Sequence, residues 1–522
     1  MKRKNLLTDF ISLLKNEFKG YNRKSLIADV IAGITVGAVA LPLALAFGAA
    51  SVGTADPMIG IVAGMITAIF AGIISGVLGG GSFQISGPTG AMTVILGSVV
   101  AGEHGLAGMF AASFLAGVIL LVAGILHFGK LVKFIPKPVV TGFTSGIAVV
   151  IALGQLGNFF GVSLHGETTV DKVVYFFTDC LSGISVPSVI LSLAVVVLMF
   201  IYPKKAAKYI PASLAAIIVI TVVTAIFKIP TSTIGQIPRT LINDARLSFG
   251  DINFGLLSDV AGSAVTIALL GMVESLLCGA CAANMKKEKF DSNVELVAQG
   301  VTNVVVPFFG GVPSTAAIAR TSVAVKSGGK TRLASVFHSV FLIACMFILS
   351  GAIGLVPYAA LAGVLVVTAI RMNEFDAIKC YFKNKMWGPI AQFLVTMVAT
   401  VLLDLTYAIV IGVALAFIIY FAERAKLKNK EKLVITQSLS DGNATLLASG
   451  VLYFANSDAI AASAETLGDY SELNVDLSGV SYADFTACEA LHEFAKAKKS
   501  VGKNVAFVGA NEKIEKIISA IE

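Results

Sequence analysis

The chain is dominated by long apolar runs that are separated by short polar stretches. Several of the runs before residue 425 are shortened or broken by glycine and proline. A helix of about 20 apolar residues crosses the ~30 Å hydrocarbon core of a bilayer. The pattern predicts a polytopic α-helical membrane protein with fourteen spans, near residues 30–50, 57–77, 87–101, 106–127, 138–158, 185–202, 211–228, 258–283, 294–309, 315–325, 332–351, 357–371, 388–405 and 407–423.

The positions of lysine and arginine test this span count. Loops after even-numbered predicted spans hold sixteen of these residues, Arg332 among them, and loops after odd-numbered spans hold four. The four are Lys172, Lys228, Arg239 and Arg246. Short cytosolic loops carry an excess of lysine and arginine. We therefore predict a multi-pass protein of the cell inner (plasma) membrane with both termini in the cytosol.

The composition changes after Arg424. Residues 435–522 contain no spanning run and alternate strand-like and helical patterns, which predicts a small soluble α/β domain. The predicted elements are strands at 444–454, 473–477 and 504–508 and a helix at 486–498. The chain thus divides into a cytosolic amphipathic segment (1–28), a transmembrane transport domain (29–425) and the cytosolic domain.

The composition agrees with a membrane protein and excludes several other classes. The chain is 56% hydrophobic and 14% charged, whereas soluble domains carry about a quarter charged residues. The net charge of +7 comes from cations near apolar runs, and no aromatic–basic motif for nucleic acid accompanies them. The six cysteines are scattered and the five histidines show no ligand spacing, so we predict no metal and no cofactor.

Two segments of the predicted membrane domain are incompatible with a lipid-facing helix. Residues 79–91 and 310–320 each have a glycine-rich extended stretch, then a proline, then the start of a short apolar helix. Proline fits the first helical turn because its missing N–H is not needed there. Non-helical backbone at membrane depth is tolerated only where it lines a cavity or is buried in protein.

The two broken segments are predicted spans 3 and 10. Their numbers differ by seven, which is odd, so they enter the membrane from opposite sides, as in an inverted repeat with paired interrupted helices. Two half-helix N-termini then direct uncapped N–H groups and positive dipole ends at one point, which favours an anion. The alternative is a pair of re-entrant turns that only allow helices to pack.

Two charged residues within predicted spans extend this hypothesis. Arg320 is the one cation predicted inside a span, and buried charges are typically functional or paired. It is a candidate for anion binding, with an ion pair or helix anchor as the alternative. Glu274 lies midway along span 8 with no cation within one helical turn in sequence. A membrane carboxylate can carry a proton through a transport cycle, so we predict a proton-coupling site, or else a structural hydrogen-bonding group.

The stretches 84–90, 274–277 and 309–321 resemble the SulP (sulfate permease) family, and 475–484 resembles a STAS domain. The resemblance covers nearly the whole chain. It implies a seven-plus-seven inverted repeat of the uracil-transporter type, in which a core domain (spans 1–4 and 8–11) moves against a gate domain (spans 5–7 and 12–14) as an elevator. It also implies a homodimer.

The resemblance places the substrate site at Phe47, Thr89, Gly90, Ala91, Ala317, Ile318, Ala319 and Arg320. Glu274 takes the place of an aspartate in sodium-coupled bicarbonate members. Here Cys278 replaces a possible hydroxyl ligand one turn on. Sodium prefers hard oxygen donors, as other hard cations do, so the substitution favours protons. Leu43 stands where some relatives carry a glutamine, which leaves the substrate open.

The STAS-like stretch departs from the phosphorylatable pattern Asp-Ser-Ser-Gly. This chain has Asp484, Phe485, Thr486 and Ala487 at those positions. Thr486 can still accept a phosphate at the start of a helix, which makes it a possible regulatory phosphosite. We favour a docking or dimer-stabilising domain without a switch, with binding of a cytosolic partner as a further possibility.

The sequence therefore predicts a transporter rather than an enzyme. The substrate is a small inorganic or dicarboxylate anion such as sulfate, bicarbonate or a C4-dicarboxylate, carried with protons. Three alternatives stay open: a sodium-coupled bicarbonate symporter, an uncoupled exchanger or channel in which Glu274 is structural, and a membrane scaffold that acts through the STAS domain. The paired half-helices argue against the scaffold, which has no need for them.

Overall fold

A computed structural model describes residues 6–52, 57–129, 135–165, 169–203, 205–208, 210–286, 288–403, 405–427, 431–440, 443–467, 470, 472–499 and 502–521. Lys130, Lys133, Lys204 and Lys287, which belong to the sixteen loop cations, lie outside the described residues. The described part of the chain divides into two compact units, Met1–Val132 with Ile147–Met372 and Lys133–Gly146 with Asn373–Glu522.

The first unit is helical apart from two short strands, β1 Ser86–Gly87 and β2 Thr315–Ala316. Its helices are α1 Leu6–Glu17, α2 Arg23–Val52, α3 Pro57–Leu78, α4 Gly90–Ala101, α5 Gly105–Ile125, α6 Lys137–Gly154 (whose beginning belongs to the second unit), α7 Leu156–Phe160, α8 Thr169–Tyr175, α9 Val186–Ile201, α10 Ala212–Phe227, α11 Phe254–Asp259, α12 Ala261–Lys286, α13 Ser292–Val305, α14 Ile318–Lys326, α15 Leu333–Ile348, α16 Ser350–Gly354 and α17 Tyr358–Met372.

Each predicted span contains a helix, which confirms the helical interpretation of the apolar pattern. Among the described residues, six helices are long and apolar enough to cross a membrane, and a seventh crossing arises if Thr169–Gly183 and α9, bent by 120°, form one span. Five further apolar helices have 10–17 residues. The count of fourteen crossings stays a prediction.

Glycine lets α2 and α3 approach one another closely. A Cβ atom at Gly48 would lie 2.2 Å from the carbonyl oxygen of Gly60, and one at Gly64 would lie 2.1 Å from that of Ala44. Both distances are far below van der Waals contact, so only glycine fits at these crossings. Small residues at helix contacts are the usual means by which membrane helices pack, because lipid offers no hydrophobic driving force between them.

Acidic side chains of the N-terminal helices hold the loop between α14 and α15. Asp29 is fully buried and accepts hydrogen bonds from the N–H groups of Lys330 (2.6 Å) and Thr331 (3.0 Å). Glu17 accepts from the N–H of Arg332 at 2.6 Å and from its Nε at 2.8 Å. The guanidinium of Arg332 also donates to the carbonyl of Gly79 at 3.3 Å.

This clamp keeps Arg332 in the loop between α14 and α15, where the sequence places it, but buries it: the residue is only 3% exposed. The sequence does not show this burial, because its partner, Glu17, lies more than 300 residues away. The N-terminal helix therefore contacts the helical bundle, and its Phe10 ring lies 5.5 Å from the Arg332 guanidinium.

The second unit combines the beginning of α6 with α18 Phe375–Lys383, α19 Trp387–Leu402, α20 Leu405–Lys426 and the C-terminal α/β domain. Its described strands form one sheet in the order β3 Val434–Ser440, β4 Asn443–Leu452, β5 Glu472–Ala483 and β6 Asn504–Val508, with β3–β4 antiparallel and the other two pairs parallel. The remaining helices are α21 Ala459–Glu465, α22 Phe485–Lys499 and α23 Glu512–Ile521. The three predicted strands and the predicted helix at 486–498 are confirmed.

Within this unit, the α/β domain packs against the helices that precede it. Tyr453 stacks on Tyr420 of α20 with ring centroids 4.3 Å apart, and Phe485 meets Tyr381 of α18 edge to face at 4.8 Å. The Thr486 hydroxyl accepts a 2.9 Å hydrogen bond from the backbone N–H of Lys137, the first residue of α6. Aromatic contacts and a hydrogen bond that caps α6 therefore contribute to the docking of the domain.

Candidate functional site

The two broken segments meet and pair with one another. Strand β1 runs antiparallel to β2, with Ser86 opposite Ala316 and Gly87 opposite Thr315. The pairing satisfies backbone groups that lipid cannot satisfy. Gly87 has a φ of +158°, and a Cβ atom there would lie 2.5 Å from Nη1 of Arg320. The sequence prediction that the two segments face each other is therefore confirmed.

Each strand leads directly into a half-helix. Helix α4 begins at Gly90 after the N-cap Thr89, and α14 begins at Ile318 after the N-cap Ala317. Neither N-cap side chain bonds to the N–H groups of the first turn. These groups and the positive ends of the two dipoles are a ready binding site for an anion.

Arg320 links the two half-helices. It lies in the first turn of α14 and is 1% exposed, and its Nη2 donates a 2.9 Å hydrogen bond to the carbonyl of Pro88, just before α4. Its buried Nη1 has no hydrogen-bond partner among the described atoms. A guanidinium carries fixed charge and several donors in one plane, so Nη1 is available to a small anion beside the half-helices.

Glu274 of α12 lies at the same place. Its Oε2 accepts a 3.0 Å hydrogen bond from the hydroxyl of Thr89, the N-cap of α4. Its carboxyl group and the Arg320 guanidinium also interact electrostatically. No cation lies near Glu274 in the sequence. The fold brings Arg320 to it, although Arg320 lies 46 residues further along the chain. The structure thus assembles an acid, a guanidinium and two helix N-termini.

The remaining predicted residues complete the surroundings. Phe47 of α2 is buried, and its ring lies 3.0 Å from where a Cβ at Gly90 would stand. Ala91 is fully buried, whereas Ile318 and Ala319 are exposed. All the predicted substrate-site residues and Glu274 lie in the first unit. The possible phosphosite Thr486 lies in the second unit.

Helix α12 is fastened to both broken segments by its polar side chains. Ser275 Oγ lies 2.8 Å from Thr315 Oγ1 and accepts from the N–H of Ala316 at 3.2 Å. Gln84 Nε2 donates to the carbonyl of Ser275 at 2.8 Å. The Cys278 thiol is buried and donates to Thr321 of α14 at 3.3 Å. Cys278 therefore contributes a structural contact between α12 and α14.

Sequence analysis missed the polar side chains of α13. Gln299 and Asn303 are fully buried, one turn apart, and each holds one broken segment. Gln299 Nε2 donates to Ser86 Oγ at 2.7 Å. Asn303 Nδ2 donates to the carbonyl of Ser314 at 2.9 Å, and its Oδ1 accepts from the N–H of Ser314 at 2.7 Å. Their four-residue spacing inside an apolar span was the signal available in the sequence.

Replacement of Asn303 by leucine should destabilise the first unit. The change leaves the N–H and carbonyl of Ser314 buried without partners, which costs about 1–3 kcal/mol. Chemical unfolding of the purified protein in detergent measures this free energy. Thr368→Val is the control, since within the described part of the chain the Thr368 hydroxyl bonds to a carbonyl of its own helix alone, at 2.7 Å. Equal losses in the two variants would contradict the bridging role of Asn303.

Comparisons with known proteins agree on one family. Residues 26–399 match the sulfate permease family, and residues 435–522 match the family described as "Mlab, STAS domain". The chain is 34% identical to YvdB of Bacillus subtilis (strain 168) over 85% of its length and 84% of that protein. It is 29% identical to the bicarbonate transporter BicA of Picosynechococcus over 92% of its length and 88% of that protein.

Solved structures show the same fold. The transmembrane domain of a cyanobacterial bicarbonate transporter BicA aligns with a TM-score of 0.66 and 27% identity over 74% of this chain and 98% of that chain. The murine anion transporter Slc26a9 in the inward-facing state aligns with a TM-score of 0.72 over 99% of this chain and 91% of that chain, and its 20% identity shows likeness of fold alone. The chain is therefore a multi-pass member of the sulfate permease family of transporters, with a C-terminal STAS domain.

Proposed function

We propose that the protein is a secondary active transporter of a small anion, coupled to protons and working as an elevator. The observation that carries this proposal is the meeting of two uncapped half-helix N-termini, joined by the buried guanidinium of Arg320. The candidate substrates are sulfate, bicarbonate and a C4-dicarboxylate. Sulfate is the anion named in the family description, and bicarbonate is named in the description of the relative BicA.

The proposed architecture is fourteen spans in a seven-plus-seven inverted repeat, with both termini cytosolic. The antiparallel pairing of β1 with β2 supports opposite orientations of the two repeats. Helices α2–α5 and α12–α15, which correspond to spans 1–4 and 8–11, pack extensively on one another, as expected for a core domain. Helices α9, α10 and α17 likewise pack together, as expected for part of a gate domain. The proposal also includes assembly of the protein as a homodimer in the plasma membrane.

Anion binding in this proposal uses backbone and charge more than side-chain shape. The first-turn N–H groups of α4 and α14 and the free Nη1 of Arg320 attract negative charge. Phe47 and Ala91 supply apolar walls, and the exposed Ile318 and Ala319 mark the open side. Such a site discriminates anions chiefly by size and charge, which suits the range of candidate substrates.

Proton coupling follows from the position of Glu274. An anion at the half-helices and an ionised Glu274 would place two negative charges near one guanidinium. A proton on Glu274 removes one of them, so anion and proton stabilise each other at the site. Thr89 connects the two events, because its hydroxyl donates to Glu274 and its backbone is the N-cap of α4, whose first-turn N–H groups face the anion.

Sodium coupling, as a second candidate, has less support from this site. The Cys278 thiol is turned toward Thr321, and sulfur is a poor ligand for a hard cation. Uncoupled exchange remains the alternative if Glu274 serves only to hold Thr89. A scaffold role through the STAS domain would leave the half-helix pair unused.

Replacement of Glu274 by glutamine tests the coupling. Proteoliposomes are prepared with an inward proton gradient, and sulfate, bicarbonate, fumarate or chloride is supplied outside. We expect gradient-driven accumulation of at least one anion in the wild type and its loss in Glu274→Gln, because the amide cannot carry a proton. Glu103→Gln, which changes an exposed loop carboxylate, should transport normally. Gradient-independent flux that survives Glu274→Gln would support the exchanger, and a sodium requirement would support the sodium symporter.

Replacement of Arg320 by alanine tests the anion site. Loss of a charged hydrogen-bond donor costs about 1.5–3 kcal/mol, which corresponds to an increase in KM for the transported anion of about tenfold or more. Initial uptake rates over a range of anion concentrations measure this change. Lys326→Ala removes an exposed cation from the same helix and should leave KM unchanged. An unaltered KM in Arg320→Ala would leave Arg320 as a helix anchor.

We further propose that phosphorylation of Thr486 would undock the STAS domain. The phosphate would stand where Lys137 now donates its N–H and beside the carboxylates of Asp484 and Glu489, which repel it. Thr486→Glu should accelerate hydrogen–deuterium exchange of the Lys137 amide about tenfold, the effect of losing about 1.4 kcal/mol of docking free energy. Thr486→Ser keeps the hydroxyl and should exchange as the wild type does. Equal exchange in Thr486→Glu and wild type would contradict the proposal.

A further inference from the structure

Three charged side chains meet where the STAS domain docks, and the transport proposal uses none of them. We call Lys137 of α6, Glu374 before α18 and Glu489 of α22 the junction cluster. Lys137 Nζ lies 2.9 Å from Oε1 of Glu374 and 3.9 Å from Oε1 of Glu489. Their side chains are 27%, 37% and 28% exposed, so solvent screens the charges only in part.

The two carboxylates are held unequally. Both oxygens of Glu374 are engaged, since Oε1 accepts from Lys137 and Oε2 accepts from the Thr141 hydroxyl at 2.9 Å. Glu489 has a longer contact with the same amine, beyond hydrogen-bond distance. One lysine therefore serves two acids, and Glu489 is the acid whose ionised form is less well compensated.

The groups around Glu489 add further negative charge. Glu493 of its own helix and Glu374, the N-cap of α18, are the two acids that face it. Cys380 and Tyr381 of α18 also lie near it, but burial raises the pKa of each, so they stay neutral near pH 7. From α6, Lys137 alone among the described residues opposes the two acids. Burial, which is the largest cause, raises the pKa of Glu489 to about 7, with Lys137 acting in the opposite direction. An ordinary glutamate has a pKa of about 4.3.

We propose that the junction cluster is a regulatory proton-binding site, at which a proton on Glu489 tightens the docking of α22 against α6 and α18. Thr486 and Glu489 lie on one face of α22, three residues apart, and both reach Lys137. The STAS domain thereby responds to the proton concentration of the solution that bathes it.

The direction of the response follows from linkage. An acid whose pKa is higher in the docked state than in the free state binds its proton more tightly when docked. Docking is therefore weakest above pH 7, where Glu489 is ionised in both states. It strengthens as pH falls from about 7 toward the value of a free glutamate, by up to about tenfold per pH unit for one proton. The cytosolic range near neutrality is the upper part of this window.

The sequence supplies a specific probe of docking. Lys137 stands between Pro136 and Pro138, so it carries the one backbone N–H of this tripeptide. That N–H donates to Thr486 across the junction. Its hydrogen–deuterium exchange, corrected for the intrinsic dependence of amide exchange on pH, therefore reports undocking. Thr486→Val removes the acceptor and should exchange rapidly at every pH.

The experiment uses the full chain in lipid nanodiscs at pH 6, 7 and 8, with exchange resolved to Lys137 by mass spectrometry. We expect the corrected exchange of the wild type to be about tenfold slower at pH 6 than at pH 8. Glu489→Gln should be slow and independent of pH. Glu465→Gln changes an exposed acid at the end of α21, outside the junction cluster, and should keep the wild-type dependence.

Two outcomes overturn the proposal: a wild type without pH dependence, or the same dependence in Glu489→Gln as in the wild type. Slow exchange in Thr486→Val would overturn the docking contact itself. Lys137→Met provides a second test with Glu489 in place, since loss of the shared amine should move the exchange transition to higher pH. The readout does not depend on transport, so failure here and failure of the proposed function are distinguishable.

Asp484 is the other acid of this domain that titrates near the same range. It is the residue before α22, and burial raises its pKa to about 6. Its carboxyl oxygens accept from the N–H groups of Ala487 and Phe454, both at 2.8 Å and both within the STAS domain. Its protonation therefore acts on the domain's own fold and not on the docking that exchange of the Lys137 amide reports.

Discussion

The need to satisfy backbone groups away from water governs the centre of this transporter. Two chain segments leave the helical conformation at predicted membrane depth, and each exposes N–H and carbonyl groups that lipid cannot bind. They solve the problem by pairing with one another, Ser86 with Ala316 and Gly87 with Thr315. Further backbone N–H and carbonyl groups of these segments form hydrogen bonds with side chains of α12 and α13. The proposed anion site is the part of this backbone that stays available after those bonds are made.

Electrostatics then decides what such a site can hold. Helix N-termini supply partial positive charge, and Arg320 adds a full one that is buried and shared with the Pro88 carbonyl. A lone guanidinium would be costly in this environment, and Glu274 offsets it in the absence of an anion. In the proposed mechanism this acid has two roles. It stabilises the site before an anion binds, and it competes with the anion for the same positive charge.

The pattern of apolar residues was sufficient to predict the helices, and the glycine–proline stretches were sufficient to predict the paired half-helices. Both predictions rest on patterns of neighbouring residues that recur along the chain. Contacts between distant residues were not predictable, because polar groups that look solvated in sequence find partners hundreds of positions away. Arg332 with Glu17 is an example. The first strand of the STAS domain, Val434–Ser440, was missed because it follows a charged linker without a clear alternation.

The clamp at the start of α15 has a mechanical consequence. Arg332 reaches both the carbonyl of Gly79, where the first broken segment begins, and Glu17 in the N-terminal helix, while Asp29 holds the loop that follows the second half-helix. One buried ion pair thus ties together the entrance of one half-helix and the exit of the other. The two broken segments cannot shift relative to each other without breaking this ion pair and its hydrogen bonds, so helix α1 is held in one rigid body with both of them.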